Sequence, residues 1–152
     1  MLRRVFLILV IALFAFGARA QLQTYDKGSL TIDTAQGKQR FTVEFALTPE
    51  QQEQGLMYRS SLAPDAGMLF VFEQSRTQIF WMKNTLIPLD MVFIAANGRI
   101  VDFHERAVPM DETPIPSKAP ALAVLELNGG TVARLGIKIG DVVHAAAFGN
   151  AN

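Results

Sequence analysis

Eight polar or aromatic side chains interrupt, end or border the apolar runs of this sequence: Tyr58, Arg59, Trp81, Lys83, Asn84, Thr85, Asp90 and Glu126. Their types suit recognition of a small polar molecule. Trp81, the single tryptophan, and Tyr58 offer planar faces on which a sugar ring stacks. Arg59 and Lys83 suit an anionic group, and Asn84, Asp90 and Glu126 suit hydroxyls. Charges beside a core are costly unless paired, so the same residues support a second reading. In that reading Arg59 or Lys83 pairs with Asp90 or Glu126 and fixes the Trp81–Asp90 connection. The two readings coexist, because a site needs supporting residues behind it. Lys83-Asn84-Thr85, in FWMKNTLIPLD, poses the choice most sharply: a turn and a site would occupy the same place.

Other chemistries find less support. No Gly-x-Ser-x-Gly elbow, His-Glu-x-x-His pair or phosphate-binding glycine loop is present. Asp102 and His104 share a strand face by parity, which reads as a solvated face rather than a catalytic pair. Asp90 and Glu126 would suit a small hydrolase if their strands were neighbours and the carboxylates stood across a cleft. Met57, Met68, Met82, Met91 and Met110, with Trp81, raise extracytoplasmic copper(I) binding. Methionine is also a flexible core filler, and Met68, Met82 and Met91 lie in or beside strongly apolar runs. No cofactor is implied, and the balance leans away from an enzyme.

Composition narrows the setting. Residues 1–20, MLRRVFLILVIALFAFGARA, have the basic start, short apolar run and Ala18-Arg19-Ala20 ending of a cleavable secretory signal. The apolar run is short for a membrane span. This predicts cleavage after Ala20, a periplasmic or secreted product, and no stable membrane insertion. There is no cysteine, so the fold must hold without disulfides. Of 14 basic residues, Arg3, Arg4 and Arg19 lie in the signal; the remaining 11 face 14 acidic residues, a net charge of −3. That argues against a nucleic-acid partner, which needs a basic face.

The elements that must position these residues are short and frequently punctuated, the pattern of a mostly-β domain. Leu30–Thr34 and the alternating Phe41–Leu47 predict a hairpin. Thr48, Pro49, Gln51 and Gly55 carry the start and stop signals of a short helix. Met68–Phe72 reads as a strand buried on both faces, Glu73–Arg76 as a turn, and Thr77–Met82 as the next strand. Asn97-Gly98 predicts a hairpin between Met91–Ala95 and Arg99–Ala107. Four prolines between Pro109 and Pro120 mark a long loop. Ala121–Asn128 is a buried strand charged only at Glu126. A second short helix is capped by Thr131 and ended by Gly136, and a last strand follows.

The stretches FTVEFALTPEQQEQGLMYRSSL, DAGMLFVFEQ, FWMKNTLIPLDMVFI and VLELNGGTVARLGIKIGDVV, in that order, resemble the bacterial and archaeal domain-of-unknown-function family 192. The resemblance spans roughly Leu30 to Phe148. It implies a compact β-rich domain, often behind a signal peptide, and brings no established activity. The expectation is a signal peptide (1–20), an N-terminal extension (21–29) and one mostly-β domain (30–149), a sandwich or flattened barrel with two short helices. Its expected role is a non-catalytic binding or accessory module for a small polar or saccharide-like ligand. Copper(I) binding, a small hydrolase, and a protein-interaction module using the Pro109–Pro120 loop are the alternatives.

Overall fold

The computed structural model describes residues 22–151. The signal-peptide expectation falls on residues outside that range. The described residues are mostly β with two short α-helices, and their main sheet curls into a half-barrel. Seven strands form that sheet: β1 (Asp26–Thr34), β2 (Gly37–Ala46), β3 (Ala66–Arg76), β5 (Leu89–Ile94), β6 (Ile100–Ala107), β8 (Ala121–Asn128) and β9 (Val142–His144). They run in the order β6-β5-β8-β3-β2-β1-β9. Two further strands, β4 (Ile79–Phe80) and β7 (Ile115–Pro116), make a separate small ribbon. Of the two expected architectures, the flattened barrel describes the curled sheet and the two-sheet sandwich does not.

The predicted β1–β2 hairpin is antiparallel along its full length. β1 begins at Asp26, inside the expected N-terminal extension. β2 and β3 run parallel, so the intervening chain must cross over, and it carries helix α1 (Pro49–Gln54). α1 forms for the reasons legible in its sequence. Thr48 and Gln51 complete a reciprocal capping box, Pro49 occupies the first turn, and Gly55 ends the helix at a positive φ of 48°. A Cβ at Gly55 would meet Phe70 Cζ at 3.0 Å, so backbone freedom and close approach both favour glycine there.

The β5–β6 hairpin turns at Asn97-Gly98. Gly98 lies at φ 81° and its N–H donates to the Ala95 carbonyl. The same glycine lies against β9: Val143 N–H donates to its carbonyl, and a bridge pairs Arg99 with Val142. The two outer strands of the sheet therefore meet at one corner.

Strand alternation divides the buried residues into two cores. The concave core gathers Leu30, Ile32, Val43, Leu69, Val92 and Leu125, with Val132 and Ile137 from α2 (Thr131–Leu135) and the turn after it. The second core lies on the other face of β3, β5 and β8. It contains Met68, Phe70, Met91, Phe93 and Val124, covered by Leu56, Met82 and Ile87.

Two sequence expectations fail where this second core is covered. Glu73–Arg76 does not turn the chain. It continues β3, with a register shift between Val71 and Arg76. Thr77–Met82 is not a full strand, because only Ile79 and Phe80 pair, with Pro116 and Ile115. The proline-rich loop is the partner, and it is fastened down: Ser117 N–H donates to Gln78 O at 2.8 Å, and Met82 N–H donates to Asp111 O at 2.8 Å.

Candidate functional site

Strand register puts Glu126 in a defined row. Met68 on β3 and Met91 on β5 are its cross-strand partners, and Glu44 on β2 lies beyond Met68. Side chains in one row share a face, so Glu126 projects into the second core between two methionines. A cleft of about 430 Å³ opens above it. Phe70, Phe72, Phe80 and Trp81 supply aromatic wall, and Gln52, Gln54 and Gln78 supply amides. Phe80 organises the wall: its ring lies edge-to-face against Phe70 at 5.1 Å and against Phe72 and Phe93 at 6.3 Å. Gln78 is buried and held by the proline-rich segment and the start of β8, its backbone N–H donating to Ser117 Oγ and its amide to Ala121 O.

Glu126 is 5% exposed. Among the described residues no donor reaches its carboxyl, and no cation pairs with it. Burial alone pushes its pKa from 4.5 up to about 8. A carboxyl deprived of water keeps its proton, because the charged form loses more solvation than the neutral one. Among the described residues no fully sealed side-chain oxygen or nitrogen lacks a partner, so the unpartnered Glu126 oxygens are ones that still meet the cleft. The group can donate a hydrogen bond as the acid or receive a cation as the carboxylate.

Asp90 is placed quite differently. It pairs in register with Leu127, one position out of phase with Glu126, and therefore faces the concave core. Its Oδ1 accepts from the N–H groups of Arg106 and Gly130, and its Oδ2 from Val132 N–H, each at 2.8 Å. Asp90 thus satisfies the first turn of α2 from a distance. Thr131 does not cap that helix. Gly130 is the N-cap, without a side-chain bond, and Thr131 is buried inside the first turn. The paired-carboxylate hydrolase reading fails here, because Asp90 and Glu126 lie on opposite faces of the sheet.

The expected cations are also placed elsewhere. Arg59 pairs with Glu44, not with Asp90 or Glu126, and its guanidinium carbon lies 5.7 Å from the Tyr25 ring centre. Burial raises the Tyr25 pKa, with the Arg59 charge opposing. Lys83 Nζ sits 5.0 Å from the Trp81 ring centre. Asp102, in turn, is buried and accepts from Lys118 N–H and Nζ, whereas His104 is exposed. That parity pair does not form.

Lys83 and Asn84 are the middle of a turn. Thr85 N–H donates to Met82 O at 3.1 Å, and Asn84, third in the turn, has φ 52°, which asparagine tolerates. Tyr58 is also left-handed, at φ 66°. The two hold each other: Tyr58 N–H donates to Asn84 O at 2.9 Å, and Asn84 Nδ2 donates to Tyr58 Oη at 3.0 Å. Of the eight candidate residues, Trp81, Thr85 and Glu126 line the cleft. Tyr58 and Asn84 form a lock beside it, and Asp90 and Arg59 are committed to structure. Sequence reasoning missed Phe70, Phe72, Phe80 and Gln78. The parity of Met68, Phe70 and Phe72 was the available signal for the wall. Gln78 carried none, because its burial depends on the distant Ser117. Met68, Met82 and Met91 are fully buried in the second core, as core filler would be.

Comparison with known proteins fits this architecture. The model of domain-of-unknown-function family 192, described as an uncharacterized ACR, matches residues 31–145. The chain belongs to family 192. A chain of known structure from Sinorhizobium meliloti 1021, described as a "putative transcription regulator", is 50% identical, with a TM-score of 0.80 over 84% of this chain and 99% of that one. A protein of unknown function from Novosphingobium aromaticivorans DSM 12444 is 44% identical, with a TM-score of 0.77 over 78% of this chain and 85% of that one. No curated protein matches. Among the described residues, no helix is long and apolar enough to cross a membrane.

Proposed function

We propose that this family 192 chain is a non-catalytic binding module, exported behind residues 1–20, that holds a small polar molecule in the cleft above Glu126. The observation that carries the reading is the buried, unpartnered Glu126 carboxyl on the floor of an open aromatic cleft. An uncompensated buried polar group costs stability, so a ligand that engages it recovers part of that cost. The size and mixed lining of the cleft suit a small molecule. Trp81, Thr85 and Glu126 contact the ligand, while Lys83, Asn84 and Tyr58 shape the rim. The transcription-regulator description of the Sinorhizobium relative gains no support from charge, since the 152-residue chain has a formal net charge of zero and nucleic acid needs a basic face.

A thermal-shift panel of sugars and small metabolites tests this. A true ligand at a hundred times its Kd raises stability by about 2.7 kcal/mol, a shift of several degrees, and Glu126→Leu abolishes the shift. If nothing in the panel raises the melting temperature, the binding reading fails and the cleft is surface relief.

A further inference from the structure

The apolar part of the lining above Glu126 is electron-rich. Phe72, Phe80, Trp81 and Met57 line the cleft. Met68 and Met91 flank the carboxyl in the register. Ring faces carry partial negative charge, and thioether sulfur is soft and polarisable. A buried carboxyl in such surroundings would ordinarily have a cation of its own. Of the nearby candidates, Arg59 is already paired with Glu44, and Arg76 lines the cleft without pairing with Glu126 among the described residues. The protein itself shows what these rings attract, since Lys83 places its ammonium over Trp81. We propose, resting on the binding reading above, that the cleft takes an organic cation: an ammonium group against Glu126 and the Trp81 and Phe80 rings, with an apolar body along Phe72. Carboxylate plus aromatic wall is the chemistry that recognises alkylated ammonium groups.

The titratable groups on the elements around Glu126 are Tyr25 in the N-terminal segment, Glu44 on β2, Glu53 on α1, Arg76 on β3, Arg59 after α1, and His104 across Met91 on β6. Arg59 and Glu44 pair with each other, and Glu53 and Arg76, of opposite charge, both line the cleft. Glu126 therefore governs the pH dependence of cation binding. The cation binds the carboxylate form, so binding must release the proton that burial retains. Linkage then requires affinity to rise about tenfold for each pH unit below the Glu126 pKa and to level off above it.

The probe is benzyltrimethylammonium, whose charge does not titrate, against phenethyl alcohol and phenylacetate as neutral and anionic counterparts. Calorimetric titration of the full chain is expected to show binding of the cation alone. Its Kd tightens about tenfold from pH 6 to pH 7 and is constant above pH 9. At pH 9, Glu126→Gln weakens it at least tenfold. Trp81→Leu, at an exposed position that leaves folding intact, weakens it severalfold. If the alcohol or phenylacetate binds as tightly as the cation, or if cation affinity ignores both pH and Glu126→Gln, the organic-cation assignment is overturned while the binding reading stands. If the cation fails to bind at every pH, the assignment also falls, and the metabolite panel decides the broader reading separately.

Discussion

Asp90 and Glu126 are both buried carboxyls on adjacent strands, one register position apart, yet they have opposite fates. Asp90 faces the concave core and receives three backbone N–H groups. Glu126 faces the second core and receives none among the described residues. A carboxylate that accepts several N–H bonds is stabilised as an anion and becomes part of the scaffold. One that accepts none must keep its proton or find a partner from outside. Burial alone therefore does not mark a functional acid; what marks it is burial without internal satisfaction, at a surface that remains open.

The largest effect expected from breaking this contrast is at Asp90. Asp90→Ala removes the fully buried acceptor of three backbone N–H groups at once and should cost about 3–5 kcal/mol, by the usual penalty for breaking a buried charged network. Urea denaturation measures it. A cost under about 1 kcal/mol would show that water or rearrangement replaces the carboxylate, and that Asp90 is not the scaffold acid described here.

Glu126 should behave in the opposite sense. Its folded pKa of about 8 lies above the unfolded value near 4.5. Between those values the folded chain holds a proton that the unfolded chain has released, so this group makes stability fall as pH rises. The slope is at most about 1.4 kcal/mol per pH unit, which gives a loss of about 2 kcal/mol from pH 6 to pH 8. Glu126→Gln removes this component, so the difference between variant and parent should grow in the variant's favour across that range. Parallel pH profiles for the two proteins would rule out an unpartnered acid.

Smaller effects sharpen the border of the cleft. Arg59→Ala leaves Glu44 without its partly buried partner and should cost about 1–2 kcal/mol. Asn84→Ala loses both the side-chain link to Tyr58 and the residue type suited to positive φ, and should cost about 1 kcal/mol. Asn84→Gly, which relieves the backbone, should cost less. Lys83→Ala removes only an exposed cation–π contact and should stay within about 0.5 kcal/mol. In a binding assay the order reverses between regions. Arg59 and Lys83 variants should keep the parent's affinity, whereas Glu126 and Trp81 variants should bind more weakly.

The helix over Pro49–Gln54 and the hairpins at Gly37 and Gly98 were legible because their signals are local. A capping box needs only Thr48 and Gln51, and a tight turn needs only a glycine in place. Glu126 was also legible as the one charge in a buried strand. The fate of Lys83-Asn84-Thr85 was legible only in part. Its polarity suited both a turn and a site, and Thr85 alone reaches the cleft.

What the sequence determined by itself is the class of fold, its family, and a short set of polar residues that a β-rich core must either satisfy or expose. Local propensity and alternation suffice for that. Which acid is satisfied was decided by tertiary structure. Donors for Asp90 come from Arg106, Gly130 and Val132, and no spacing in the chain announces that α2 will point its first turn at β5. The cleft likewise exists only because β3 runs on to Arg76, the proline-rich segment pairs with Ile79 and Phe80, and α1 settles across β2 and β3. Long-range pairing set the partners, and the partners set which carboxyl was left free.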